Sequence, residues 1–229
     1  MRTLLCLICS ITLSLPVWAI EPTRLYGAQS HYQVERKGKV IGDYHLNFSP
    51  WGQGGTHVSV AMDLNIRFMG LFSYDFEYRS DEYWRDSQTL EQMLVRIDDD
   101  GDLTRYAFER RDGYLYRMEP GGSTRLGSDL LTTNHWHPEL VRRTNLVNTL
   151  TGDVSQINAQ LEAEEWVELG NRRVQARRYR LGGDLEDTLS WYDTQGRWLG
   201  MEFSARDGSR VRVWLKPDQM TASLGEPYE

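Results

Sequence analysis

Between Thr56 and Phe68 hydrophobicity alternates residue by residue. Val58, Val60, Met62, Leu64, Ile66 and Phe68 hold every second position, and His57, Ser59, Asp63, Asn65 and Arg67 stand between them. Successive side chains of a strand point to opposite faces, so this pattern describes a strand with one buried face. Strands commonly run to about 5–6 residues, and a longer one suits a strongly curved sheet or a barrel wall. The period excludes a helix here, and any architecture for the chain must accommodate this wall.

The neighbouring segments repeat the message. Phe72, Tyr74, Phe76 and Tyr78 alternate with Ser73, Asp75, Glu77 and Arg79, and Met69-Gly70-Leu71 is the expected turn between the two runs. Arg36-Lys37-Gly38-Lys39 is expected to join strands near 29–35 and 40–48. Asp99-Asp100-Gly101-Asp102 joins 90–97 to 103–110, and Asp112-Gly113 leads to Tyr114–Glu119. Thr194-Gln195-Gly196 and Asp207-Gly208 separate three further strands, Thr188–Tyr192, Trp198–Ser204 and Arg210–Leu215. Asp-Gly between alternating runs is a strong hairpin signal because glycine accepts positive φ. Many strands, short turns and no βαβ rhythm predict an all-β, mostly antiparallel fold: a single strongly curved sheet or an open β-barrel. One short helix is expected over 138–150. Pro138 suits a first helical turn, Leu140, Val141, Leu146, Val147 and Leu150 fall near helical spacing, and Gly152 can end it.

The first nineteen residues, MRTLLCLICSITLSLPVWA, read as a secretory signal peptide. Arg2 supplies the positive start, Leu4–Leu15 the apolar run, and Val17-Trp18-Ala19 a small-residue cleavage site, with the cut expected after Ala19. The run is shorter than the ~17–25 residues of a spanning helix. Both cysteines, Cys6 and Cys9, fall in this leader, so the mature chain has no disulfide, thiolate nucleophile or Cys-ligated metal. Residues 20–229 read as one β-rich domain, with no further run able to span a membrane. The net charge of −7 disfavours binding to nucleic acid.

Chemistry is concentrated in Thr132–Pro138, TTNHWHP, which holds two of the five histidines. On a strand, His135 and His137 would share a face and could meet one metal ion, with a third ligand from His31, His45, His57 or a carboxylate. Alternatively Asn134, His135 and His137 form a polar catalytic or binding site. The structural alternative has Thr133, Asn134 and His135 satisfying backbone groups ahead of the helix, with Trp136 as a packed anchor. No cofactor is expected, and a metal only at His135 and His137. Asp98–Asp102, DDDGD, fails the spacing of a calcium loop and reads as a hairpin tip. Asp75 and Glu77, with Asp81 and Glu82 after them, read as a solvated face neutralised by Arg67, Arg79 and Arg85. No G-x-S-x-G elbow and no phosphate-binding loop is present. Eight tryptophans and twelve tyrosines are generous for this length, and aromatics can line a cavity under a curved sheet.

The hairpin YQVERKGKVIG (32–42), YRSDEYW (78–84), TTNHWHP (132–138), NTLTG (148–152) and the closing WYDTQGRWLGMEFSARDG (191–208) together resemble the DUF6134 family of exported bacterial proteins, with a looser likeness to DUF3108. The resemblance implies a periplasmic β-rich domain and assigns no reaction and no catalytic residue. The leading expectation is therefore a non-enzymatic binding or carrier-like domain for an apolar or amphiphilic small molecule. Its candidate ligand-contacting residues are Asn134, His135, Trp136, His137, Trp84 and Trp191. The alternatives are a periplasmic hydrolase centred on His135 and His137, and an envelope protein that pairs through an exposed sheet edge.

Overall fold

The structure, a computed structural model, describes residues 22–68, 72–205 and 207–220. The expected leader, with both cysteines, and the expected Met69-Gly70-Leu71 turn lie outside the described residues. A short helix α1 (Pro22–Tyr26) precedes β1 (Gln29–Arg36), β2 (Lys39–Trp51), β3 (Gly55–Phe68), β4 (Phe72–Trp84), β5 (Leu90–Asp99), β6 (Asp102–Arg111), β7 (Tyr114–Glu119) and β8 (Gly122–Gly127). Then come β9 (Leu131–Thr132), β10 (Asn145–Val147), β11 (Val154–Leu169), β12 (Arg172–Gly183), β13 (Thr188–Asp193), β14 (Trp198–Ser204) and β15 (Arg210–Leu215).

All fifteen strands form one sheet, in the order β8 back to β1, then β15 back to β9. Neighbours are antiparallel except β9 with β10, which run parallel. The fold is all-β, and the sheet is not closed, because β8 and β9 at its two ends share no ladder. Yet only residues 128–130 connect those two edges, so the chain holds them within roughly 14 Å of each other. The sheet therefore curls into a split barrel. Arg110 crosses the seam region, donating to the carbonyls of Leu90, Gly113 and Ser128 at 2.7–2.8 Å. Arg117 does the same from β7, donating to Gly152 O at 3.1 Å and pairing with Asp153.

The hairpin turns follow from their residues. Lys37-Gly38, Asp100-Gly101 and Asp112-Gly113 each place two consecutive residues at positive φ, the condition for a tight turn whose twist matches the strands. Alternation decides which side chains enter the barrel. Val58 and Val60 are wholly buried, and Met62 and Leu64 pack against the core. The same parity sends Tyr78, Ser80, Glu82 and Trp84 inward from β4.

The helix expected over 138–150 does not form. Pro138–Arg142 makes a 3-10 turn, and Asn145–Val147 is strand β10, inserted between β9 and β11. Two competitors win here. The flanking strands offer the 145–147 backbone a ladder on both sides. Asn148 then accepts the Leu150 N–H through its side chain at 2.9 Å, a local bond that replaces helical pairing. The Leu140, Leu146 and Val147 side chains, spaced as if on a helix, all reach the core by this other route.

Candidate functional site

The segment from Thr132 to His137 runs into the barrel and fills its middle. Trp136 is 2% exposed and meets Trp84 edge to face at 5.5 Å and Phe48 at 5.7 Å. Tyr26 closes this end: its hydroxyl donates to Trp136 O at 2.6 Å and accepts from Trp198 N–H at 2.9 Å. Trp198 in turn carries Tyr32, Tyr44 and His135 against its ring. Rings of this size each remove about 150–250 Å² from water, about 4–6 kcal/mol apiece before ordering costs. This half of the interior is filled with side chains.

At the centre sits Glu82, fully buried. Its Oε2 accepts from the indole N–H groups of Trp84 and Trp136, both at 3.0 Å. Its Oε1 accepts from Thr132 Oγ1 at 2.9 Å and from Asn134 Nδ2. Burial pushes this carboxyl above its ordinary range, against those four hydrogen bonds, which pull it down. Asn134 Oδ1 accepts from Tyr78 OH at 3.0 Å, so the network runs Tyr78–Asn134–Glu82. In the sequence Glu82 reads as part of a solvated acidic face, yet here it is fully buried. The signal against that was parity: Glu82 lies an even number of residues from Tyr78 and Trp84, on the apolar side of the strand.

The two histidines do not converge. Residues 133–137 form a bend and turn, so the strand rule that would put both rings on one face does not apply. His135 Nδ1 lies 3.0 Å from Ser190 Oγ, and Tyr192 OH donates to His135 O at 2.9 Å. His137 Nε2 lies 2.6 Å from Ser87 O, while its Nδ1 accepts from Glu139 N–H at 3.2 Å and so caps the 3-10 turn. The capping role expected of Asn134 thus belongs to His137. Burial lowers both imidazoles, His135 to about 4. Among the described residues, no group of three or more His, Cys, Asp or Glu is placed to hold a metal. The Ser190–His135 contact has the spacing of a nucleophile and base, but Ser190 is wholly buried.

Above Asn134 and His135 the filling stops. A cavity of about 260 Å³ opens there between β2–β4 on one side and β13–β14 on the other. Asn134, His135, Tyr78 and Thr149 form its floor. Tyr44, Met62, Met201, Phe203 and Leu185 form its walls, and Leu150, 53% exposed, stands at the mouth. Of the candidate ligand-contacting residues, the structure brings Asn134 and His135 to this cavity. Trp136, His137 and Trp84 lie beneath it in the packed core. Trp191 is on the opposite face of the sheet from Ser190 and Tyr192. There its indole donates to Glu165 at 2.7 Å and packs edge to face on Trp214 at 5.3 Å.

Two other predicted clusters resolve as structural. Asp98 Oδ1 accepts from Gly101 N–H at 2.9 Å, as a hairpin tip requires. On the outer face, Glu77 pairs with Arg96 at 3.2 Å. Also outside, Ser49, His57 and Asp81 line up across three strands, with His57 Nε2 2.7 Å from Asp81 and Nδ1 3.4 Å from Ser49. None of the three lines the cavity between β2–β4 and β13–β14; Asp81 lines a separate surface depression with Arg79, Arg96 and Arg105.

The fold has a counterpart among solved structures. The chain is similar to a β-barrel-like protein of the DUF1849 group from Brucella abortus. The match has a TM-score of 0.55 at 12% identity, over 82% of this chain and 94% of that one. A DUF1329 protein from Desulfovibrio piger aligns over 82% of each chain at 12% identity, with a TM-score of 0.18, too low to bear on the fold. No curated protein matches the chain. The model of DUF6134, a domain of unknown function, matches residues 32–216, and the chain belongs to that family.

Proposed function

We propose that this protein is a non-enzymatic binding domain that seats an apolar or amphiphilic small molecule in the cavity between β2–β4 and β13–β14. One observation carries the reading. At one end the barrel is packed solid, and at the other it leaves about 260 Å³ with apolar walls, a polar floor and a bare leucine at the entrance. Ligand sites combine mostly apolar linings with a few placed polar groups. An exposed Leu150 beside such an opening is surface that a ligand would cover. The cavity is small for a carrier, since ligand pockets usually span about 300–1,000 Å³. It fits one chain or one ring system rather than a whole lipid.

The residues at the floor suit recognition better than catalysis. His135 is neutral at ordinary pH, its Nδ1 is engaged by Ser190, and the Glu82 carboxylate beneath is occupied by four donors. We further propose that the chain is exported to the periplasm with cleavage after Ala19, as the leader implies; amino-terminal sequencing of the mature protein should begin at Ile20.

The test is binding of the fluorescent probe N-phenylnaphthylamine. Wild-type protein should bind it in a saturable way, and Met201→Trp, which fills the cavity, should abolish the signal without lowering Tm by more than a few degrees. Equal binding by both proteins would contradict the reading.

A further inference from the structure

Resting on the binding reading above, we infer that the cavity selects amphiphiles whose head group is uncharged or cationic, and rejects anionic ones such as fatty carboxylates and alkyl phosphates. Charge and uncommitted hydrogen-bonding groups are unevenly distributed around the opening.

Among the described residues no lysine or arginine lines the cavity, whereas Asp184 and Glu186 do. Both are exposed, and among the described residues neither has a cationic partner; Asp184 Oδ2 accepts only from Gln156 N–H, at 2.8 Å. Among the described residues a cation near the rim is Arg210, which donates to Ser204 Oγ at 3.3 Å, but carboxylates already hold it: Asp187 at 3.3 Å and Glu202 at 3.8 Å. Beneath the floor lies a third carboxyl, Glu82, one side chain away through Asn134.

The floor's polar side chains already have partners within the protein. Tyr78 OH donates to Asn134, Asn134 Nδ2 to Glu82, and Asn148 Nδ2 to Ser155 Oγ at 3.1 Å. Thr133 and Thr149 bond each other at 3.2 Å. An anion brought here would lose its hydration, gain no charged partner and face two or three like charges. A hydroxyl, which donates or accepts as the tautomer requires, needs only one neutral partner, such as the imidazole nitrogen of His135 not engaged by Ser190. A quaternary ammonium would gain from Asp184 and Glu186. The two methionines in the wall, Met62 and Met201, tolerate varied tail shapes, so the head group sets the selectivity.

The experiment measures binding of four probes with one ten-carbon tail, each below its micellar concentration, by calorimetry at low salt. They are decanol, decyltrimethylammonium, decanoate and decyl phosphate. Decanol and decyltrimethylammonium should bind, with decanoate and decyl phosphate on the order of fivefold weaker or more, the scale of two partly screened surface charges. The double variant Asp184→Asn, Glu186→Gln should narrow that gap and leave decanol unchanged. Decanoate binding as tightly as decanol, or a gap unmoved by the double variant, would overturn the inference while leaving the binding reading standing. Failure of all four probes to bind would sink the binding reading, and this inference with it.

Discussion

Acid should loosen this protein through His135, and the size of the effect follows from its surroundings. Its imidazole is buried against Trp198 and Ser190, with a pKa of about 4 against an ordinary 6.5. The unfolded chain therefore takes up a proton at this site before the native chain does. A group with a depressed folded pKa contributes stability that is complete above its ordinary value and is lost as pH falls towards the folded one. The window runs from about pH 6.5 down to about pH 4. Each pH unit within it is worth about 1.4 kcal/mol. From about pH 7 to about pH 5 the loss is about 2 kcal/mol, after allowing for partial protonation of the unfolded chain. His137 acts in the same direction. Glu82 opposes them: a raised carboxyl favours the fold below its ordinary value, and that contribution fades as pH rises. Comparing wild type with His135→Gln cancels both, because both proteins retain them. Urea unfolding at several pH values should show wild type losing about 2 kcal/mol more than the variant over this interval. Parallel curves for the two proteins would refute the burial argument for His135.

Other outcomes follow from the same geometry. Glu82→Ala leaves two indole N–H groups, a hydroxyl and an amide without their acceptor. At about 1–3 kcal/mol for each of four buried orphans, the loss is about 4–12 kcal/mol, comparable to the whole stability of a typical domain, while Glu82→Gln should cost about half of that. Urea midpoints check the order, and an Ala variant as stable as wild type would contradict it. Gly152 has φ of +77° and no room for a Cβ, which would stand 2.5 Å from the Tyr106 ring. Gly152→Ala should destabilise by about 2–4 kcal/mol, and adding Tyr106→Ala should recover the steric part, seen as a coupling in a double-mutant cycle.

The sequence made the hairpins of the first half legible because each strand there has one wet face. Val58 to Ile66 and Phe72 to Tyr78 alternate, and Lys37-Gly38, Asp100-Gly101 and Asp112-Gly113 mark the turns between strands. The hairpin β11–β12 gives no such signal. Its distal part has partly wet surfaces on both faces, and it is held by cross-strand ion pairs such as Arg177–Glu164 at 2.9 Å and Arg180–Glu162. Charge pairing of that kind has no period to read. Strands β9 and β10 were hidden for another reason: two or three residues carry no pattern, and Leu146 and Val147 mimic helical spacing. Within the candidate site, Asn134 and His135 stood out as rare polar residues beside Trp136. Their partners did not. Glu82, Tyr78 and Ser190 come from strands far away in sequence, and only the curling of the sheet brings them together. Trp191 looked equivalent to Trp84, but one position of parity separates the two faces of a strand.

The central claim is that the unfilled end of the barrel is a ligand site. Its most direct test is a crystal structure with decyltrimethylammonium carrying bromine at the end of its tail, the halogen being located by anomalous scattering. The account predicts a bromine peak among Met62, Met201 and Phe203, with the ammonium towards Asp184 and Glu186. A peak on the outer face, or an empty cavity at saturating ligand, would contradict it.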